Sequence, residues 1–219
     1  MKFETHVKEI IQRTHNVKSF RFPRPEELSY KPGQFLFVTL KSEGKELKKH
    51  FSFSSSPTER DHIEFTKKLS ESDFSHALKD LKEGDWASID APYGQFTFEG
   101  EHPKIGLLAG GIGITPFIGM CKYCTDLHLN TKITLLYGNR AENDIAFKDE
   151  IEEFQRLNQN LKATFIISEA TKEWNGPTGI INTDLVKKEI PDYGESVLHL
   201  RSCGNGSNHG KAHRRFGPA

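Results

Sequence analysis

Cysteine is scarce in this chain, which has only three in 219 residues, namely Cys121, Cys124 and Cys203. So few cysteines do not make a disulfide framework, and this favours a reducing compartment. Cys121 and Cys124 form a lone C-x-x-C without a second pair, whereas a structural zinc site normally needs four ligands. We therefore expect no metal site. We expect the pair to pack as small hydrophobic side chains in a helix, with a metal or redox site as the alternative.

The chain also lacks net charge and long apolar runs. Its 30 lysine and arginine residues balance 30 aspartate and glutamate residues, so no overall field draws it to nucleic acid or to an anionic membrane. No apolar run approaches the roughly 20 residues that span a bilayer, and the first residues lack the apolar segment of a secretory signal. We therefore expect a cytoplasmic protein without a membrane span.

The first hundred residues alternate apolar and polar side chains in short stretches separated by turn residues, at 17–22, 34–40 and 62–66. This periodicity predicts an antiparallel sheet or barrel. The one clear helical pattern runs from Asp73 to Leu81, with Ser72 as a plausible N-cap and Gly84 beyond its end.

From Lys104 onward, apolar strand-like runs alternate with helical segments. This order predicts a parallel sheet with helices on both faces. We place the boundary between the two parts near residues 100–103, which gives a domain at 1–101 and a second at 102–219. The predicted strands are 105–109, 133–137, 163–167 and 197–200, and the predicted helices include 145–157 and 183–190.

A glycine-rich turn, Gly110-Gly111-Ile112-Gly113-Ile114-Thr115-Pro116, follows directly on the strand predicted at 105–109. The three glycines let the backbone approach a ligand, and Pro116 suits the first turn of a helix. A strand, a glycine turn and a helix in this order place unpaired backbone N–H groups where a phosphate can sit. The spacing is not G-x-G-x-x-G, and a tight turn without a ligand is the alternative.

Four segments, taken with this order of domains, resemble the ferredoxin-NADP reductase superfamily over nearly the whole chain. The segment Lys49-His50-Phe51-Ser52-Phe53-Ser54-Ser55 is similar to the family's flavin-binding R-x-Y-S-x-x-S. The other three are Pro32-Gly33-Gln34-Phe35, Ala91-Pro92-Tyr93-Gly94-Gln95-Phe96 and the glycine turn with Thr115-Pro116. The resemblance implies a flavin-binding antiparallel β barrel followed by a parallel-sheet nucleotide-binding α/β domain.

The resemblance assigns Lys49, His50, Phe51 and Ser52 to flavin binding. An aromatic ring followed by a hydroxyl suits an isoalloxazine site, since Phe51 can lie against the ring and Ser52 can hydrogen-bond near its reactive nitrogen, which makes Ser52 a catalytic candidate. Lys49 replaces the family's arginine and keeps the charge without the planar fork, and Phe51 replaces its tyrosine. An ordinary core strand is the alternative.

Two further segments resemble flavin contacts of the family. Thr66 and Lys67 match a strand end whose backbone runs beside the flavin, although a solvated strand end has the same pattern. Ser72 and Ser75 stand at the start of a helix where the family binds the pyrophosphate, so that these hydroxyls and the helix N-terminus can hold it. A plain helix cap is the alternative.

In the second domain the resemblance assigns nicotinamide-nucleotide binding to the turn residues, namely Gly110, Gly111, Gly113, Thr115 and Pro116. Arg140, after a strand, can pair with a phosphate or can be a solvated loop charge. Cys203 and Gly204 match the family's C-G, whose cysteine lies near the nicotinamide, which makes Cys203 the second catalytic candidate. A buried strand-end cysteine is equally ordinary.

The resemblance ends after Gly204, where the family continues with proline, methionine and an amphipathic helix. This chain instead has a tail rich in glycine, histidine and arginine, without helical periodicity. A reading-frame shift is one hypothesis, since codons allowed for residues 209–217, read one base later, can encode Met-Val-Lys-His-Ile-Glu-Asp-Leu. A genuine basic tail is the other, and its histidines are too sparse for a metal site.

These features predict a reductase in which NADH or NADPH passes hydride to FAD. FAD is favoured over FMN by the resemblance only. Since the cysteines for an internal iron–sulfur cluster are absent, we expect the electrons to pass to a separate acceptor, either a protein or a small molecule. The alternatives are a non-catalytic flavin-binding electron-transfer subunit with an impaired nicotinamide site, and a nucleotide-binding module without flavin.

Overall fold

The computed structural model describes residues 1–191 and two short strands, Val197–His199 and His213–Arg215. The first seven strands form two antiparallel sheets. The four-stranded sheet has the order β1 (Lys2–His6), β7 (Trp86–Tyr93), β4 (Phe35–Ser42), β5 (Lys45–Ser52). The three-stranded sheet has the order β2 (Glu9–Thr14), β3 (Val17–Pro23), β6 (His62–Lys68).

The two sheets are joined at both seams and close into a barrel. Only Val7 and Lys8 separate β1 from β2, and their N–H groups donate to Asp85 beside β7 and to Arg21 on β3. The chain therefore passes from one sheet to the other as one bent strand made of β1 and β2. At the opposite seam, Phe53 after β5 pairs with Phe65 on β6. The antiparallel barrel predicted from the alternation is therefore confirmed.

Aromatic side chains fill much of the barrel. Phe20 and Phe22 stack on Phe65, with ring centroids 5.1 and 5.9 Å apart, and all three rings are fully buried. The helix α1 (Asp73–Asp80) packs its apolar face on this core. Its N-cap is Ser72, as predicted.

The second part of the chain is built on a five-stranded sheet. Four of its strands are parallel, in the order β10-β9-β8-β11, and β12 joins the edge antiparallel to β11. This confirms the predicted parallel sheet. The strands are β8 (Lys104–Gly110), β9 (Lys132–Asn139), β10 (Leu161–Ile167), β11 (Val197–His199) and β12 (His213–Arg215).

Helices cover both faces of this sheet, as the sequence predicts. Leu107 belongs to the core that includes α2 (Thr115–Asp126) and α3 (Lys148–Leu157), whereas its neighbour Leu108 packs with α4 (Thr183–Glu189) on the other face. Among the described helices the longest is α2, with 12 residues. None of them has the length and apolarity needed to cross a membrane.

The helix α3 begins three residues later than the pattern predicts. Phe147, directly before it, has a left-handed backbone (φ 61°), which is uncommon for a residue with a large side chain. Residues 145–147 are buried, so their apolar character reflects a packed loop and not the first turn of a helix.

The barrel and the α/β part are in close contact at Gly119 on α2. A Cβ atom at Gly119 would lie 2.8 Å from the carbonyl oxygen of Ser55, in the loop that follows β5. A methyl group does not fit at that distance from a backbone atom. The absence of a side chain at Gly119 therefore sets how closely α2 approaches the barrel.

We predict that Gly119→Ala lowers the free energy of unfolding by about 1 kcal/mol. Overpacking against a backbone atom costs about 1–3 kcal/mol, which exceeds the roughly 1 kcal/mol by which a helix favours alanine over glycine. Urea denaturation measures the change. Gly110→Ala is the matched control, because a Cβ there meets nothing within 4 Å. A gain in stability for Gly119→Ala would contradict the prediction.

Candidate functional site

The residues assigned to flavin binding on β5 point to two faces of the barrel wall. Phe51 faces the core, where its ring stacks on Phe65 with centroids 4.5 Å apart and lies 5.5 Å from Phe74 of α1. The ring is only partly buried. Phe51 is therefore fixed by neighbouring rings yet accessible in part, which suits a platform for a flat ligand.

His50 and Ser52 face the other way. His50 lies in an aromatic cluster, 5.5 Å from Phe35 and 5.8 Å from Phe37, and Tyr93 packs on the same two rings. The hydroxyl of Ser52 is partly exposed, and no hydrogen-bond partner for it exists among the described residues. This hydroxyl is free to hydrogen-bond to a ligand.

Two lysines lie near each other on the adjoining strands β5 and β6. Burial lowers the pKa of Lys67, and the neighbouring charge of Lys49 lowers it further. Within the described part of the chain, neither ammonium group has a carboxylate at ion-pair distance. Two cations in mutual repulsion make a position at which an anion is stabilised.

The N-terminus of α1 adjoins this position, because Phe74 in its first turn touches Phe51. The hydroxyls of Ser70, Ser72 and Ser75 cluster there, with Ser72 Oγ 3.0 Å from Ser75 Oγ and accepting from the Ser75 N–H at 3.4 Å. Helix N-termini attract anions. Ser72 is a helix cap in this structure, and a cap of this kind is also compatible with a phosphate.

Thr66 could contact a ligand only through its backbone. Its hydroxyl is buried, at 2.6 Å from Ser19 Oγ and 2.8 Å from Ser54 Oγ. On the edge of β6 away from β3, Glu64 bonds to Ser54 and Ser55. Two residues further on, Thr66 adjoins the antiparallel bridge between Phe53 and Phe65, which ties the end of β5 to this edge of β6. Only Lys67 and Lys68 follow on β6, so a ligand could lie beside the backbone at this strand end.

The glycine turn lies at the carboxyl end of β8, beside β6. Residues 111–114 form a 3₁₀ turn that leads into α2, and Gly111 has a positive φ of 50°. A Cβ atom at Gly110 or Gly111 would meet nothing within 4 Å, so the space above the turn is open. Gly113 is partly buried, whereas Thr115 and Pro116 are buried, and the Thr115 hydroxyl donates to Ile112 O at 3.3 Å.

Arg140 follows β9 at the same edge of the sheet. Its side chain is exposed and pairs with Asp144 at 3.3 Å. Nearby, Asn139 is 8% exposed and its amide nitrogen and oxygen are buried, a feature that nothing in the local sequence indicates. The hydroxyl of the fully buried Tyr137 lies near the Asn139 side chain and the backbone of Ala146. Burial raises the pKa of Tyr137, so this hydroxyl stays protonated.

The candidates Cys203 and Gly204, and most of the tail beyond them, lie outside the described residues. Their assignment stays a prediction. Cys121 and Cys124 are buried free thiols on α2, and burial raises the pKa of Cys121 well above its usual range and that of Cys124 to about 12. Among residues 1–191, no group of histidine, cysteine and carboxylate side chains is arranged to hold a metal ion.

Two protein-family models match the chain in succession. Residues 4–98 match the oxidoreductase FAD-binding domain, and residues 107–207 match the oxidoreductase NAD-binding domain. The two matches follow the order of the barrel and the parallel sheet.

Curated relatives of known name are reductases. NADH-cytochrome b5 reductase 1 of Dictyostelium discoideum is 28% identical over 209 residues, which are 93% of this chain and 72% of that protein. The enzyme of the same name from Kluyveromyces lactis is 30% identical over 200 residues, which are 87% of this chain and 70% of that protein. The chain spans 62% to 72% of the length of four such relatives.

Solved structures share the fold. The cytochrome b5 reductase domain of Ulva prolifera nitrate reductase superposes with a TM-score of 0.79 at 22% identity, over 92% of this chain and 87% of that one. A ferredoxin NADP+ reductase from Neisseria gonorrhoeae with bound FAD and NADP superposes with a TM-score of 0.76 at 18% identity, over 91% and 84% of the two chains.

We predict that Cys121 and Cys124 do not react with iodoacetamide at pH 8 in the folded protein. The thiolate is the reactive form, and both burial and the raised pKa values keep these thiols protonated. Mass spectrometry of the tryptic peptides measures the modification at each cysteine. Full alkylation in urea is the control, and modification of either residue before unfolding would contradict the prediction.

Proposed function

This chain belongs to the ferredoxin-NADP reductase superfamily of FAD- and NAD-binding oxidoreductases, and we propose that it passes electrons from NADH through bound FAD to a separate acceptor. The observation that carries the proposal is the short distance between the glycine turn and β6, since each can stabilise an anion. The open glycine turn comes within 8 Å, between Cα atoms, of β6, whose strand end carries Lys67. A coenzyme at the turn would therefore lie beside the strand along whose end the flavin is proposed.

The residues present fit FAD. Lys49, Lys67 and the N-terminus of α1 with Ser72 and Ser75 form a cationic, donor-rich position for a pyrophosphate. Phe51 would lie against the isoalloxazine, and the hydroxyl of Ser52, on the opposite face of β5, would donate a hydrogen bond to a ring that extends around the end of this strand. Bound FAD supplies the capacity to accept a hydride and to release electrons one at a time.

On the coenzyme side, Gly110, Gly111 and Gly113 leave the backbone open to the phosphates at the start of α2, which Thr115 and Pro116 shape. Arg140 would exchange its ion pair with Asp144 for a coenzyme phosphate. The role of Cys203 and Gly204 beside the nicotinamide rests on the resemblance of their segment to the family's.

We propose NADH and not NADPH as the preferred coenzyme. Glu169 is the second residue after β10, and its N–H donates to Arg140 O at 2.7 Å, which holds it at the carboxyl edge of the sheet. A carboxylate there accepts hydrogen bonds from a ribose hydroxyl and repels a 2′-phosphate. The names of the relatives from Dictyostelium and Kluyveromyces also specify NADH.

For the acceptor we propose a cytochrome b5, because these two relatives are named for that partner. A small-molecule acceptor is the alternative. A cytoplasmic location is likewise a proposal, supported by the two free thiols of α2.

We expect NADH to bleach the visible absorbance of the FAD-reconstituted protein in the absence of oxygen, and NADPH to do so about ten-fold less efficiently, which is about 1.4 kcal/mol of discrimination. Stopped-flow absorbance measures both. Bound flavin that neither coenzyme reduces would contradict the reductase function and favour a non-catalytic electron-transfer subunit, with the departure after Gly204 as its cause. If the protein binds no FAD, the result would support the remaining alternative, a nucleotide-binding module without flavin.

We expect Lys49→Met to weaken FAD binding about ten-fold, since a charge-assisted hydrogen bond contributes about 1.5–3 kcal/mol and this lysine is exposed. Fluorescence titration of the apoprotein with FAD measures the dissociation constant. The matched control is Lys68→Met, at the exposed end of β6 next to Lys67. Equal affinities for the two variants would contradict the assignment of Lys49.

A further inference from the structure

The hairpin formed by β2 and β3 reaches out of the barrel into the α/β part. At its tip, Val17 is 4% exposed and packs in the core that includes α2 and α3. The guanidinium carbon of Arg13 lies 4.5 Å from the ring centre of Phe147, and its Nη1 pairs with Glu150 on α3. His15 Nδ1 lies 3.8 Å from Asp144. These contacts fall on residues 144–150, between the end of β9 and the first turn of α3.

The Arg13 side chain also bonds to two residues of the barrel. Its Nη2 lies 3.3 Å from Glu64 Oε2, and its Nε donates to Ser19 Oγ at 2.8 Å. Ser19 in turn bonds to Thr66, whose backbone edge borders the proposed flavin position. The side chain of Arg13 is 11% exposed and that of Glu64 is 3% exposed, so these contacts are largely shielded from water.

Only the forked guanidinium makes this set of contacts. It stacks on a ring with its face while its separate nitrogens bond to two carboxylates and a hydroxyl. A lysine has one compact ammonium group and reaches fewer of these partners. The stacked ring belongs to Phe147, the residue with the left-handed backbone, so Arg13 presses on the residue that determines where α3 begins.

We propose that Arg13 is a positioning residue that fixes the nucleotide-binding part against the flavin barrel, so that coenzyme and flavin meet in one geometry. The inference rests on the proposed reductase function and deepens it. Transfer between two bound groups depends steeply on their separation, since a misplacement of about 1 Å can reduce a rate about 100-fold. Arg13, whose own side chain is 11% exposed, connects the two halves and touches neither proposed ligand position.

The test compares Arg13→Met with Arg21→Met. Arg21 bonds to the same Glu64, with Nε 2.8 Å from Oε2, but its described ion pairs are with Glu9 and Glu64 only, both in the barrel. In each variant the remaining arginine still pairs with Glu64, so that carboxylate is not left alone. Arg13→Lys tests whether a positive charge without the planar guanidinium group restores part of the function. Glu150→Gln removes the charge of the partner on α3 and replaces the test if Arg13→Met does not fold.

The kinetic measurement is the limiting rate constant of flavin reduction at saturating NADH, in the FAD-loaded protein. We expect Arg13→Met to lower it about ten-fold or more, with the dissociation constants for FAD and NADH changed less than about three-fold, because the contacts of Arg13 orient and do not bind. Arg13→Lys recovers part of the loss, Glu150→Gln shows a smaller loss, and Arg21→Met leaves the rate constant unchanged. A limiting rate constant equal to that of the unaltered protein in Arg13→Met would overturn the proposal.

Hydrogen exchange gives a second measurement that needs no turnover. We expect amides 144–151 to exchange about ten-fold faster in Arg13→Met and at an unchanged rate in Arg21→Met. Unchanged exchange in Arg13→Met would overturn the proposal even if the unaltered protein is not reduced by NADH. If NADH does not reduce the unaltered protein, the proposed reductase function is wrong. The exchange data still decide whether Arg13 holds the two parts together.

Discussion

The structure depends on one buried carboxylate. Glu64 is in the middle of β6, is 3% exposed, and bonds to Arg21 and Ser54 at 2.8 Å, with Arg13 at 3.3 Å. An ionised carboxylate is stable in such a place only if hydrogen bonds replace its lost hydration, which fixes where each partner stands. Those partners come from β2, β3 and the loop after β5. The positions of these partners around Glu64 therefore align the seam of the barrel with the hairpin that reaches the second part.

Local patterns predicted most of the fold. Alternation identified the strands of the barrel, and the succession of apolar runs and helical segments identified the parallel sheet, because both periodicities are imposed by burial on one or two faces. Ser72 was identified as an N-cap because capping is a matter of a few adjacent residues. The start of α3 was not predicted, since the left-handed backbone of Phe147 is maintained by its packing and by Arg13, which is distant in sequence.

The candidate site was predictable in its residue types and less so in its geometry. Nothing in the local sequence distinguishes a threonine whose hydroxyl faces a ligand from Thr66, whose hydroxyl faces Ser19 and Ser54. The burial of the Asn139 amide also arises from tertiary contacts, whereas the pairing of Arg140 with Asp144, four residues apart, is local. The motif resemblance identified the segments of the candidate site. The directions of their side chains could be determined only from the three-dimensional structure.

The close approach at Gly119 has a consequence for motion. A Cβ atom at this position would lie 2.8 Å from the carbonyl oxygen of Ser55, so α2 has little room to move closer to the barrel. Close-packed interfaces move between discrete arrangements and do not deform continuously. Any opening between the two parts must therefore begin with α2 moving away from the loop after β5.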